Sequence, residues 1–216
     1  LGDVYKRQIH NAAGSIAMGS GKVFICAGVE SMTRVPMLGF NPMPHPELLE
    51  QNPNVYLSMG VTAENVAKKY NIDRTQQQEF AISSHEKANN ADTNGKFEDE
   101  ITIINDKKVD VMKDGGIRPG TNQEVLSGLK LAFDNNGTVT AGTSSPLTDG
   151  AAATLICEEE YAKSNNLEIL ARIKSTAVNG CEPEVMGLGP IGASKKALIR
   201  AGLKSSDLDI IELNEA

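Results

Sequence analysis

A chain of 216 residues with 40% hydrophobic residues can bury a substantial core, which excludes disorder as a description of the whole. Its formal net charge of -7, with Lys and Arg scattered and no basic block, excludes backbone-led binding to nucleic acid. No apolar run approaches the ~18 residues that a membrane-spanning helix needs, and the N-terminus lacks the basic-then-apolar order of a signal peptide.

In chain order, residues 9–18 are small and apolar at helical spacing, and residues 23–27 form a β-branched apolar run suited to a buried strand. Between them, Gly19-Ser-Gly-Lys22 is not a phosphate loop. Ile16 stands at the first glycine position, Val23 at the hydroxyl position, and the strand comes after the loop instead of before it. It reads as a helix-to-strand turn.

Pro36, Pro42, Pro44, Pro46 and Pro53 punctuate an irregular stretch from 34 to 58. Thr62 is the expected N-cap of a helix over 63–70, and Asp73 with Gln76 forms a capping box that opens a longer one. Phe80, Ala81, Ser84, Ala88 and Ala91 give the longer helix a stripe for packing, and Gly95 is placed to end it.

Residues 97–105 alternate as a half-exposed strand would, 106–122 read as loop, and 123–131 as a short helix. After the small-residue run 137–150 come a buried strand (151–157) and a short helix (158–164). A further strand is expected over 171–180, a helix over 190–201 stopped by Gly202, and a last strand over 208–213. Helices alternating with apolar strands argue for a layered α/β fold.

Three cysteines, Cys26, Cys157 and Cys181, have neither metal-ligand spacing nor a disulfide framework, and suit a reducing compartment. Cys26 and Cys157 lie in apolar runs and read as buried structural thiols. His10, His45 and His85 are isolated and read as exposed or loop residues. The run 137–150 reads alone as a tight turn closed by Asp-Gly, or as a place where small side chains let a ligand approach the backbone, and Asn214 as a loop-capping amide or as a ligand contact at the end of an apolar run, where α/β folds place ligands.

Six segments together resemble thiolases, in the family's order and spacing. They are GVESMTRVPM (28–37), SMGVTAENVAKKY (58–70), GKFEDEI (95–101), GTVTAGTSSPLTDGAAA (137–153), EVMGLGPIGASKKAL (184–198) and DIIELNEA (209–216). TSSPLTDG, Arg118-Pro119 and NGCEP at 179–183 resemble the degradative 3-ketoacyl-CoA members most.

The resemblance implies an α/β thiolase fold, layered αβαβα with mixed five-stranded sheets, partial in this chain. It implies an N-terminal domain over 9–166 with a loop domain inserted at about 34–140, and the start of a C-terminal domain over 167–216. Residues 1–8 are unmatched and read as a cloning scar, and both ends read as truncations.

By the same resemblance, Ser145 contacts the pantetheine arm, with Ala141 and Gly142 offering backbone beside it. Arg118 is offered to the CoA nucleotide, while Met59, Phe133 and Met186 line the acyl or pantetheine pocket. Asn214 orders a water in an oxyanion site and is the one catalytic residue carried over.

The family's nucleophilic cysteine would fall near Gly2, and its histidine and acid/base cysteine beyond Ala216, so the chain itself is expected to be inactive. CoA enters as substrate, with no cofactor and no metal. The expected setting is the bacterial cytoplasm, in a homodimer or homotetramer, with a multifunctional β-oxidation partner also in view. An acetoacetyl-CoA thiolase and a non-catalytic acyl-CoA or lipid carrier are the alternatives. Ser58 stands where many short-chain members have a histidine, which favours longer chains.

Overall fold

The computed structural model describes residues 2–105 and 110–216, with side chains from residue 6 onward. The chain divides into two compact units, each with its own packing. The first comprises Leu1–Pro46, Leu147–Gly180 and Gly189–Glu212; the second comprises Glu47–Pro146, Cys181–Leu188 and Leu213–Ala216.

The first unit is built on α1 (Gly2–Ala17) and β1 (Val23–Glu30), joined by the Gly19–Lys22 turn. Gly19 takes φ +73°, a left-handed value that glycine adopts without a Cβ clash, and Ser20 N–H donates back to the Ser15 carbonyl at 2.9 Å. The phosphate-loop reading is thus rightly excluded.

β1 pairs antiparallel with β4 (Gly150–Cys157), Cys26 opposite Thr154. The β1 side chains Phe24 and Cys26 point away from solvent, and α1 packs on this pair with Ala12 buried. Gln8 Oε1 of α1 accepts the Ala27 N–H at 2.9 Å. Cys26 is buried as expected, and burial pushes its thiol pKa up. Cys157 is only half-buried, because it ends β4 opposite Val23 at the sheet's end.

Asp149 ties the far end of this pair. Its carboxylate accepts the Thr33 hydroxyl at 2.6 Å, the Thr33 N–H at 2.9 Å and the Ser31 hydroxyl at 3.4 Å. The Thr33 side-chain bond, then the Thr33 backbone bond, hold this carboxyl below the usual aspartate range. A depressed folded pKa gives stability that is complete above the ordinary aspartate value and is lost as pH falls through the folded one. Asp149→Asn is therefore expected to lower the urea midpoint at pH 7, and the gap to the parent chain closes below about pH 4. A gap that persists undiminished at pH 3 contradicts this role.

Also in the first unit are α6 (Glu159–Ser164) and α7 (Gly189–Ala201). Gly202, at φ +68°, ends α7 as expected. Along α7, the Ser175 hydroxyl donates to the Ala197 carbonyl at 2.7 Å and Arg200 to the Thr176 carbonyl at 2.6 Å. Residues 171–180, expected as a strand, are held by these sideways bonds and join no ladder among the described residues. Residues 208–213 likewise form no strand. Of the mixed five-stranded sheets that the resemblance implies in part for this chain, the described residues contain two antiparallel pairs, β1–β4 and a short one in the second unit. A strand exists only where a neighbour supplies its hydrogen bonds, whatever its sequence pattern.

The second unit is mainly helical, with α2 (Pro46–Gln51) at its boundary, then α3 (Met59–Tyr70), α4 (Arg74–Thr93) and α5 (Gln123–Ser127). The stretch 34–58, expected to be irregular, contains α2 and a 3-10 turn over Pro53–Tyr56. Ser58, not Thr62, caps α3: its hydroxyl accepts the Val61 N–H at 3.4 Å, while the Thr62 hydroxyl donates to the Met59 carbonyl at 2.7 Å. The Asp73/Gln76 capping box forms, and Gly95 at φ +68° follows the end of α4.

On α4 the expected packing stripe is open, with Phe80 61% exposed, and the buried residue is Gln78. Of the strand expected over 97–105, only β2 (Ile104–Asn105) forms, against β3 (Asp110–Val111). The loop expected over 106–122 lies partly outside the described residues.

Candidate coenzyme-binding site

All eight candidate residues fall in the second unit. Phe133-Asp-Asn-Asn-Gly137 turns the chain: Asp134 accepts the Gly137 N–H at its carbonyl (3.0 Å) and the Asn136 N–H at its side chain (2.9 Å). The returning strand pairs Leu131 with Thr140, and Ala132 N–H donates to the Val139 carbonyl at 3.0 Å. This hairpin lays the Phe133 ring on buried Gly60 of α3, so close that a Cβ at Gly60 would lie 2.2 Å from the ring.

Past the hairpin, Thr140 is fully buried and caps the 3-10 turn Ala141–Thr143. Its hydroxyl accepts the Gly142 N–H at 3.2 Å, and its carbonyl accepts the Ser144 hydroxyl at 2.9 Å. Gly142 packs against Leu126 and Leu129, where a Cβ would meet side-chain carbons at 2.5–2.6 Å. This small-residue turn leaves Ala141 and Ser145 exposed.

The NEA segment comes to the same place. Ser145 N–H donates to the Ala216 carbonyl oxygen at 2.7 Å, and the Ser84 hydroxyl of α4 donates to Glu215 at 2.6 Å. Asn214 is exposed beside these two anchors. Glu215 also borders a depression of about 310 Å³ with Phe80, Ser84, Lys87, Ala88 and Phe97. The α4 stripe read from sequence as packing thus lines this depression.

Met59 opens α3 and is half-exposed. Met186, on the 3-10 segment Pro183–Leu188, is also half-exposed; Asn65 Nδ2 of α3 secures that segment by donating to the Glu184 carbonyl at 2.9 Å. Arg118 is exposed, and its guanidinium makes no hydrogen bond among the described residues. Its backbone N–H donates to His85 Nδ1 at 3.3 Å. His85 is therefore a half-buried helical residue that anchors the arginine loop, and His10 is half-buried in α1, so the reading of both as exposed or loop residues is corrected. His45 is exposed as expected.

Sequence reasoning missed Glu64, Asn65, His85 and Glu215, whose partners lie 33 to 131 residues away. No local spacing carries such a signal. Among the described residues no group of His, Cys, Asp and Glu is arranged to hold a metal. No helix among them is long and apolar enough to cross a membrane.

Two family models match the chain: "Thiolase, N-terminal domain" over residues 6–160 and "Thiolase, C-terminal domain" over residues 167–216. The chain belongs to the thiolase family. The N-terminal match begins inside α1 and takes in residues 6–8. A 3-ketoacyl-CoA thiolase of Shewanella loihica is 49% identical over 217 residues, spanning 96% of this chain and 55% of its own. One from Bacillus subtilis is 43% identical over 223 residues, spanning 97% and 57%.

The dimeric peroxisomal thiolase of Saccharomyces cerevisiae superposes with a TM-score of 0.91 at 36% identity, over 99% of this chain and 56% of its own. Human mitochondrial 3-ketoacyl-CoA thiolase in complex with CoA superposes at 0.85, with 35% identity over 99% and 57%. The thiolase fold expected from the sequence is thus present in part. The chain spans about 55% of the curated relatives it matches.

Proposed function

We propose that the second unit presents a CoA-binding surface, and that the complete protein is a 3-ketoacyl-CoA thiolase. The observation that carries this is the convergence of Ser145, Ala141, Gly142 and the NEA segment at one small-residue turn, in a chain whose relatives bear that name. The small residues Ala141, exposed, and Gly142, half-buried, let an extended pantetheine arm approach the turn, and the Ser145 hydroxyl suits its amides. Arg118, exposed, suits the nucleotide phosphates. Met59, Phe133 and Met186 supply apolar surface for the arm or acyl chain.

In the proposed reaction a cysteine thiolate adds to the 3-keto carbon and the C2–C3 bond breaks. The acetyl-CoA carbanion takes a proton and leaves, and the shortened acyl group passes from the cysteine to the sulfur of a second CoA. Negative charge collects first on the 3-keto oxygen and then on the thioester enolate. A water held by Asn214 would donate a hydrogen bond to one of them.

None of Cys26, Cys157 and Cys181 fits the nucleophile's task. Cys26 is buried with its thiol pKa raised. Cys157 ends a strand of the first unit, and the Cys181 thiol donates to the Met186 carbonyl at 3.9 Å, with no hydrogen bond to a base among the described residues. The 216-residue chain is therefore expected to bind CoA without cleaving 3-ketoacyl-CoA.

The domain reading is retained as part of the proposal, with residues 34–140 a loop domain inserted in the N-terminal domain. A homodimer, after the dimeric yeast relative, and a bacterial cytoplasmic setting complete it. The test is release of acetyl-CoA from a 3-ketoacyl-CoA and CoA by the complete protein. Binding without release for every chain length points instead to a carrier and overturns the enzymatic reading. Within the 216-residue chain, Ser145→Ala is expected to weaken CoA about 3- to 10-fold by calorimetry, the worth of one hydrogen bond. Unchanged affinity removes Ser145 from the site.

A further inference from the structure

We infer that Glu64 is a positioning residue for coenzyme binding, a clamp that sets the turn on which the pantetheine arm would lie. The inference rests on the CoA-binding reading above.

Glu64 sits in the middle of α3, where a glutamate usually faces water, yet it is 9% exposed. Its carboxylate accepts the Thr138 N–H at 2.9 Å to each oxygen, the Val139 N–H at 2.8 Å and the Thr138 hydroxyl at 3.0 Å. Gln77 of α4 donates to that same hydroxyl at 2.7 Å, so Thr138 links two helices. Bonds to a carboxylate are stronger than neutral ones, and acceptors are what two adjacent backbone N–H groups require.

Gly137 is shaped to this contact: a Cβ there would lie 2.2 Å from Glu64 Oε1. The clamped residues run directly into Thr140, whose burial and cap define the Ala141–Thr143 turn. Among the described residues Glu64 makes no hydrogen bond to the Ala141–Thr143 turn. Its effect on a ligand would pass through the backbone it fixes, by sparing the bound state the entropy of ordering that loop.

Two substitutions attack the clamp from opposite sides. Glu64→Gln removes the charge and leaves one acceptor oxygen where there were two, and Gly137→Ala displaces the carboxylate without changing its charge. Both are tested in the 216-residue chain with CoA and with adenosine 3′,5′-bisphosphate, a nucleotide probe lacking the pantetheine arm. Each is expected to raise the Kd for CoA about tenfold and leave the nucleotide within about twofold. Amide exchange at Thr138 and Val139 is expected to accelerate at least about tenfold, while that of central α4 amides stays as it was.

Unchanged CoA affinity in both variants, with Ser145→Ala still weakening CoA, overturns the inference and leaves the binding reading standing. Equal loss of both ligands with general loss of helix protection shows a merely structural residue and also overturns it. A parent chain that binds no CoA removes the reading on which the inference depends, and the inference with it.

Discussion

Gly60→Ala is expected to destabilise the second unit by about 1–3 kcal/mol, the range for adding a methyl group to a packed contact. The new Cβ would lie 2.2–2.3 Å from three Phe133 ring carbons, far inside van der Waals contact. A rigid ring cannot yield at its tip as a lysine does. Either Phe133 leaves its position or α3 shifts. Phe133 stands four residues before Gly137 in the hairpin that delivers Thr138 and Val139 to Glu64, so the disturbance is expected to reach the small-residue turn. The decisive control is the double variant Gly60→Ala/Phe133→Ala. With the ring gone the Cβ has room, and Gly60→Ala should cost much less than it does alone. Additive losses in urea denaturation contradict the packing account.

The second large effect is expected at Arg74, the first residue of α4. Its Nη2 donates to the carbonyls of Leu126 and Ser127 at 3.1 Å and of Leu129 at 2.7 Å, where α5 ends. A cation there meets carbonyls at the end of α5, which carry the negative end of the helix dipole. Arg74→Met keeps most of the apolar stem and removes every donor. The expected loss is about 2–3 kcal/mol, the worth of hydrogen bonds from a charged donor. Arg74→Lys should recover only part, because a point charge does not reproduce the planar fork. Since Leu126 and Leu129 flank Gly142, Arg74→Met is also expected to weaken CoA. A Met variant as stable as the parent sinks this assignment.

The sequence was most informative where a residue's role depends on its neighbours. Asp73 and Gln76 make their capping box three residues apart, and Gly95 and Gly202 stop helices through their own φ angles. β1 and β4 were legible because an apolar β-branched run in both cases met a partner. Over 171–180 and 208–213 the same pattern meets no partner among the described residues, and propensity alone makes no ladder. Ser58 and Thr62 are both plausible caps one turn apart, and the choice falls to whichever hydroxyl reaches an unbonded N–H.

The candidate site divides along the same line. Ser145, Ala141, Gly142 and Asn214 were legible through family motifs, and the structure draws Asn214 toward the first three through its neighbours Glu215 and Ala216. The residues that hold the site were not legible. Glu64 looks like a solvated helical glutamate until Thr138, 74 residues on, is folded against it. His85 looks idle until the Arg118 N–H reaches it. Phe80, counted toward packing by its helical spacing, is mostly exposed, while polar Gln78 takes the buried place with Gln123 and Ser127 as partners.

The account's central claim is that the Ala141–Ser145 turn, with Arg118 and Asn214, receives CoA. The most direct measurement is a residue-resolved amide titration of the 216-residue chain with CoA. The expected result is saturable shifts at Ala141, Gly142, Ser145, Arg118 and Asn214, with those of β1 and β4 unmoved. Shifts confined to the first unit, or none at millimolar CoA, contradict it.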